Sequence, residues 1–102
     1  MNMGDLLKQA QQFQERLATV QNELAGKTVT GTAGGGMVTA TVNGKGELIG
    51  LAIEPDLVNP AEVAMLQDLV MAAVNDGLNK ARELGKQEMG KLTGGLNLPG
   101  MF

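Results

Sequence analysis

Two stretches of the sequence contain residue types that can bind phosphate. Glycine occupies six positions of residues 34–53, on both sides of Lys45, and glycine-rich loops hold phosphate through backbone N–H groups. Residues 80–91 carry four of the eight basic side chains: Lys80, Arg82, Lys86 and Lys91. Clustered cations bind the phosphates of nucleic acid without reading the base sequence. Each stretch therefore suggests a ligand that carries phosphate.

The glycine-rich stretch fits a small sheet better than a phosphate-binding loop. Gly44-Lys45 is followed by Gly46 rather than by Ser or Thr, and a strand rather than a helix follows, so no helix N-terminus faces the loop. Asn43-Gly44 is typical of a tight hairpin turn. Three segments rich in β-branched residues or alternating in polarity surround these glycines: 27–32, 37–43 and 47–53. We therefore predict three strands, with the glycines at their bends.

Cysteine and histidine are absent from the 102 residues. The chain therefore lacks a thiol nucleophile, a Cys/His metal site and the usual general base near pH 7. The carboxylates and lysines have no spacing that suggests a paired acid and base. We predict that the protein is not an enzyme and that it needs no cofactor and no metal.

Charge is distributed unevenly along the chain. The net charge of −3 argues on its own against binding to nucleic acid. Residues 80–102, however, carry four basic and two acidic side chains, so the mean charge hides a local positive one. This stretch is the candidate site for phosphate.

Composition predicts a soluble domain with a thin core. Apolar residues make up 43% of the chain, but only two residues are aromatic, and a second copy would cover more apolar surface. The N-terminus has no basic segment followed by an apolar core, and no apolar stretch approaches the ~20 residues that span a bilayer. We expect a cytoplasmic oligomer with no membrane partner.

The first predicted helix carries two of the remaining basic residues. Its apolar residues recur at spacings of 3, 4, 3, 4, 3 and 4, which is the heptad seam of a helix that packs against another helix, as in a coiled coil. Seven residues form this seam: Met3, Leu6, Ala10, Phe13, Leu17, Val20 and Leu24. Lys8 and Arg16 fall on the opposite side of the helix. We expect the seam to pack on the apolar stripe of the second helix, with Phe13 and Leu17 in the core.

The second predicted helix carries the basic cluster. Asn59-Pro60 is an N-cap and first-turn signature, so a long helix should begin there. Its apolar stripe extends to about Met89, and four polar residues line up on the opposite side: Asn75, Asn79, Arg82 and Lys86. The helix should therefore present its cations to solvent.

The order helix, three strands, long helix predicts an α+β fold with a three-stranded antiparallel sheet. Glycines at 94 and 95 and a proline at 99 follow the last helix and cannot continue it. We therefore expect one domain over residues 1–89 and a flexible Gly/Pro-rich tail over residues 90–102.

Several segments, in this order and spacing, resemble the YbaB/EbfC family of bacterial nucleoid-associated proteins over nearly the whole chain. They are KQAQQFQERL in the first helix, Gly36-Met37-Val38, Val42-Asn43-Gly44, Ile53-Glu54-Pro55, residues 66–70, Ala72-Ala73 and Asn75-Asp76. The resemblance implies a homodimer shaped like tweezers, in which paired sheets form the centre and the two long helices of each subunit project as arms. It also implies DNA binding without catalysis, in the nucleoid.

Charge and resemblance together favour low-specificity binding of duplex DNA by a homodimer. The expected DNA-binding residues lie on both arm helices: Lys8, Arg16, Asn79, Lys80, Arg82, Lys86 and Lys91. The alternative is a protein-interaction adaptor linked to the replication or recombination machinery. It would use the heptad helix and the adaptable apolar residues Met89, Met101 and Phe102. Partners that survive nuclease treatment in a pull-down would favour the adaptor.

Overall fold

The computed structural model describes residues 2–92, whose elements follow the predicted order. The elements are α1 (Met3–Gly26), β1 (Thr28–Ala33), β2 (Val38–Asn43), β3 (Leu48–Ile53) and α2 (Val63–Leu92). Two short 3-10 turns, Pro55–Leu57 and Pro60–Glu62, connect the sheet to α2. This confirms the predicted α+β fold, in which an antiparallel sheet follows one long helix and precedes another along the chain.

The sheet has the order β1-β2-β3, so that β2 is central. Val38, Ala40 and Val42 of β2 are fully buried, and α2 packs across β1 and β2 on that side of the sheet. Ala40 pairs with Gly31 of β1 and with Leu51 of β3. The alternation of apolar and polar residues along β2 therefore separates the α2-facing side from the threonine side, as expected for a half-buried strand.

α2 lies against the backbone of β1 because two glycines meet at the contact. A Cβ atom added to Gly31 would lie 2.2 Å from the carbonyl oxygen of Ala73 and 2.2 Å from the backbone nitrogen of Gly77. A Cβ atom added to Gly77 would lie 2.8 Å from a methyl group of Val42. All three distances are below the 3.0 Å that real Cβ contacts respect. Position 31 therefore requires glycine, because its close contacts are with backbone atoms, whereas a side chain at position 77 would require Val42 to shift.

The bounds of α2 differ slightly from the prediction. The side chain of Asn59 accepts a hydrogen bond from the N–H of Ala61 at 3.0 Å, as its capping role predicts. Residues Pro60–Glu62 form a 3-10 turn, however, so the α-helix itself begins at Val63. It also continues past Met89 to Leu92. Most of the predicted tail, residues 93–102, lies outside the described residues.

Only the C-terminal part of α1 is packed. Burial decreases along the seam from Leu24, which is buried, through half-buried Val20 and Leu17 to Phe13, which is 43% exposed. Within this subunit's described residues, the prediction that Phe13 lies in the core is wrong. The reason is geometric, since α2 ends at Leu92 beside the middle of α1 and does not reach its N-terminal half.

The contact between α2 and β1 predicts a pair of contrasting glycine substitutions. Gly31→Ala should lower the free energy of unfolding by about 3 kcal/mol or more, because the added methyl group overlaps backbone atoms that cannot rotate away. Gly26→Ala adds a methyl group with no atom within 4 Å and should change stability by less than about 1 kcal/mol. Urea unfolding followed by circular dichroism measures both values. Equal effects of the two substitutions would contradict this account of the contact.

Candidate nucleic-acid interface

One face of α2 carries a row of exposed polar residues, which we call the α2 stripe. Its members are Asn75, Asn79, Arg82 and Lys86. Spacings of four, three and four residues place them on one side of the helix. Ala73, Gly77 and Ala81 are buried and turn the opposite side toward the sheet. The stripe therefore faces away from the sheet, as the sequence predicts.

The two cations of the α2 stripe are only weakly engaged. The Arg82 guanidinium donates a hydrogen bond to the amide oxygen of Asn79. The Lys86 ammonium lies 3.9 Å from the Glu83 carboxylate, and both side chains are more than half exposed. Exposed pairs of this kind contribute at most about 1 kcal/mol. Both cations can therefore exchange these neighbours for a phosphate at little energetic cost.

Lys80 has a structural role at the edge of the sheet. Its ammonium group donates to the carbonyl oxygen of Thr30 at 3.0 Å and lies 3.1 Å from the Asp76 carboxylate. That carboxylate accepts the N–H of Thr32 at 3.1 Å. The hydrogen bond from Thr32, followed by that from Lys80, lowers the pKa of Asp76. Because both threonines belong to the edge strand β1, the pair occupies backbone groups with which another strand would otherwise pair.

Arg16 and Lys91 lie in the cleft between α1 and α2, whose volume is about 650 Å³. The same cleft is lined by Glu15, Glu23 and Glu88. With Lys27 bound to Glu88, three cations balance these three carboxylates, so the cleft has no net positive charge to attract phosphate. The structure therefore brings these two predicted site residues together at a place that suits DNA poorly.

Glu88 is the buried carboxylate of this cleft, with 8% of its surface exposed. It lies 2.8 Å from the ammonium of Lys27 and 3.4 Å from that of Lys91. The hydrogen bond from Lys27 is the main cause of a lowered pKa of Glu88 and of a raised pKa of Lys27. This ion pair ties the end of α1 to α2. The sequence gives one signal of this ion pair. Glu88 follows Gly77 and Ala81 by 11 and 7 residues, and this helical spacing puts Glu88 on the buried face of α2.

Lys8 stands apart from the other candidates. It is exposed in the N-terminal half of α1, and no carboxylate within residues 2–92 forms an ion pair with it. The seven predicted site residues thus fall into four places. Asn79, Arg82 and Lys86 are on the α2 stripe, Arg16 and Lys91 are in the cleft, Lys80 is at the β1 edge, and Lys8 is on α1.

Other kinds of site have no support in the described part of the chain. Residues 2–92 contain no group of three His, Cys, Asp or Glu side chains that could hold a metal ion. Their buried side-chain nitrogen and oxygen atoms all have hydrogen-bond partners. Neither described helix has the length and apolar character that crossing a membrane requires.

Comparison with known proteins agrees with the exposed basic helix. The YbaB/EbfC DNA-binding family matches residues 1–96. A nucleoid-associated protein of Desulfotalea psychrophila is 54% identical over 99 residues, which cover 97% of this chain and 93% of that protein. One from Thermoanaerobacter pseudethanolicus is 52% identical over 101 residues, which cover 99% and 91%.

The fold is also similar to a solved structure, that of an uncharacterized protein from Helicobacter pylori. The TM-score is 0.82 at 26% sequence identity, and the match covers 91% of this chain and 98% of the other. The names of the family and of the relatives describe DNA-binding, nucleoid-associated proteins and not enzymes.

The ion pair of Glu88 predicts how stability responds to acid. A carboxylate whose pKa is lowered by folding stabilises the fold above its unfolded pKa, 4.5 for glutamate, and loses this contribution as the pH falls through the folded pKa. Glu88→Gln should therefore lower the melting temperature at about pH 7 and reduce its fall between about pH 5 and pH 3. Glu15→Gln, on the exposed rim of the same cleft, is the control and should change neither quantity. Identical acid profiles for Glu88→Gln and the unmodified protein would disprove the role of Glu88.

Proposed function

Because the chain belongs to the YbaB/EbfC DNA-binding family, we propose that it is a nucleoid protein that binds duplex DNA as a homodimer with low sequence specificity. The observation that carries this proposal is the α2 stripe. It presents Arg82 and Lys86 to solvent on a long helix, with partners that a phosphate can replace. Contacts to phosphate carry no sequence information, which accounts for the low specificity.

The contacts of the cations rank them as candidate DNA ligands. Arg82 and Lys86 come first because they are exposed and weakly paired. Lys8 is exposed but isolated, and Arg16 shares its cleft with carboxylates. Lys80 and Lys91 are held by Asp76 and Glu88 and add mainly long-range attraction. Asn79 can donate a hydrogen bond to phosphate from the same face as Arg82.

The proposed homodimer is supported by an apolar surface on β3, which we call the β3 patch. Leu48, Ile49 and Leu51 are 48%, 56% and 44% exposed. Leu48 and Leu51 pair with Val42 and Ala40 of β2 and so lie on the α2 side of the sheet, but α2 packs over β1 and β2 instead. The Asp76–Lys80 pair occupies the β1 edge, so β3 is the side of the sheet on which a second copy can pack.

The adaptor is the second candidate function, and the exposed N-terminal half of α1 favours it. Met3, Leu6 and Phe13 are 75%, 50% and 43% exposed, and exposed apolar surface of this kind marks protein contacts. Replication or recombination proteins would bind there only if the seam is accessible in the full chain. Recovery of the same partners before and after nuclease treatment would support the adaptor.

The proposed DNA contacts predict a steep dependence of affinity on salt. With two to four phosphate contacts in each subunit of a dimer, log K should fall against log salt with a slope of roughly −4 to −7. Replacing Arg82 and Lys86 by alanine should weaken binding to unrelated duplexes equally. The same replacement should make the slope shallower by about one unit for each phosphate that the variant no longer neutralises. Fluorescence anisotropy over a salt series measures both effects.

Lys45→Ala provides the control, because it removes one positive charge from the hairpin, outside the arms. It should change affinity much less than Arg82→Ala, which removes the same charge from the α2 stripe. If Lys45→Ala and Arg82→Ala lowered the affinity equally, only the net charge of the protein would determine its affinity for DNA. That result would refute the α2 stripe as the DNA contact.

The β3 patch predicts the oligomeric state. Sedimentation equilibrium at micromolar concentration should give about twice the chain mass of 10.6 kDa. Leu51→Glu should shift this mass toward the monomer, because a carboxylate buried without a partner costs several kcal/mol. Gln11→Glu introduces the same charge on exposed α1 and should leave the mass unchanged. A monomeric unmodified protein, or a dimer that tolerates Leu51→Glu, would exclude this interface.

A further inference from the structure

Two side chains of α2 close the outer edge of β1. Within the described residues β1 pairs only with β2, so it is an edge strand of the sheet. Lys80 donates to the C=O of Thr30 at 3.0 Å, and Asp76 accepts the N–H of Thr32 at 3.1 Å. The two threonines are exposed and two positions apart, so these backbone groups lie on the same side of β1, away from β2. We call Asp76 and Lys80 the edge clip.

The edge clip takes the place of one residue of a neighbouring parallel strand. In a parallel ladder, such a residue donates its N–H to one carbonyl and accepts at its own carbonyl the N–H two residues further along. Lys80 supplies this donor and Asp76 supplies this acceptor, and a salt bridge of 3.1 Å joins the two side chains. A strand that added to β1 would have to displace the clip from both backbone groups.

The surface beside the edge clip is suited to an added strand. A groove of about 350 Å³ lies between α2 and the start of β1, and Lys80 is one of the residues that line it. Val29 and Leu84, both half-buried, are its apolar residues. A strand beside β1 would point alternate side chains toward α2, where they could bury apolar surface in this groove. Without the clip, β1 would therefore be an open edge that favours association with another chain.

We propose that the edge clip is an autoinhibitory contact, which prevents the β1 edge from pairing with a strand of a second copy of this chain. A second copy is the expected occupant because the same sheet presents the exposed apolar β3 patch at its other edge. Copies that associated through both edges would each bind two neighbours, and the assembly would continue as a chain instead of closing as a pair.

The edge clip thus limits assembly to the pair that forms through β3. This limit on size rests on the proposed homodimer, whereas the closure of the β1 edge does not. The clip also accounts for the position of Lys80, a cation on the arm helix that is engaged by the sheet instead of being free for DNA.

Removal of the edge clip tests the proposal. Asp76→Ala combined with Lys80→Ala frees both backbone groups of β1 and leaves the net charge unchanged. At micromolar concentration, sedimentation equilibrium should give an average mass at least about twofold above that of the unmodified protein, because pairing through β1 adds further copies. The mass should rise with concentration. The control, Asp68→Ala with Lys45→Ala, removes one charge of each sign from exposed positions outside the clip and should not change the mass.

A further variant shows whether the larger assemblies use the β1 edge. Thr30→Pro, added to the clip variant, removes the N–H of Thr30 that faces away from β2, and edge strands tolerate proline at such positions. It should return the mass to that of the unmodified protein. An unchanged mass in the clip variant, or large assemblies that persist after Thr30→Pro, would overturn the proposal.

The same measurements separate this inference from the proposed homodimer. A monomeric unmodified protein would exclude the homodimer, yet the clip variant should still be the larger of the two. Circular dichroism establishes that the clip variant is folded. If it is unfolded, Lys80→Met replaces it, because this change keeps an unbranched side chain and removes only the ammonium donor. An unchanged mass in folded Lys80→Met would then overturn the proposal.

Discussion

The contact of α2 with the backbone of β1 at Gly31 and Gly77 fixes the arrangement of the rest of the structure. With the two backbones this close, α2 can neither rotate nor retreat without opening a gap over Val38, Ala40 and Val42. The rotation of α2 in turn decides the role of each side chain on it. The residues beside Gly77 on the helix surface face the sheet, Asp76 and Lys80 reach the β1 edge, and the α2 stripe points to solvent. The candidate DNA surface is thus a consequence of how tightly the helix packs.

The same geometry explains how a chain with a net charge of −3 can present a cationic surface. Two carboxylates are used internally, with Glu88 between two lysines and Asp76 at the sheet edge. These carboxylates engage Lys27, Lys80 and Lys91, leaving Arg82 and Lys86 with weaker partners. Local pairing and exposure therefore matter more for anion binding than the mean charge, which is screened over about 8–10 Å at moderate salt.

Local patterns in the sequence were sufficient to predict the elements but not their partners. Alternation along residues 37–43 and the Asn59-Pro60 cap are short-range signals, and the structure confirms both the strand and the capping hydrogen bond. The heptad seam predicted that α1 packs, yet a seam does not state how far its partner extends, and Phe13 lies beyond the end of α2. Likewise Lys27 and Glu88 are 61 residues apart, so no window of sequence reveals their ion pair. Lys80 and Arg82 are only two positions apart, yet Lys80 binds the β1 edge and Arg82 lies on the α2 stripe. Only the tertiary contacts of Lys80 distinguish the two residues.

The fold leaves apolar surface uncovered because its helices are longer than the strands along which they could pack. α1 and α2, with 24 and 30 residues, extend over about 36 and 45 Å, whereas strands of six residues are only about 20 Å long. The parts of the helices beyond the sheet therefore have only each other to pack against, and α1 extends further than α2 covers. Within the sheet, the edge strand β3 is the strand that α2 does not cover. A small chain with long arms therefore cannot enclose all of its apolar surface by itself. The assembly that we propose through β3 is one consequence of this shortage of core, so the surface that the fold leaves open also determines which molecules it can contact.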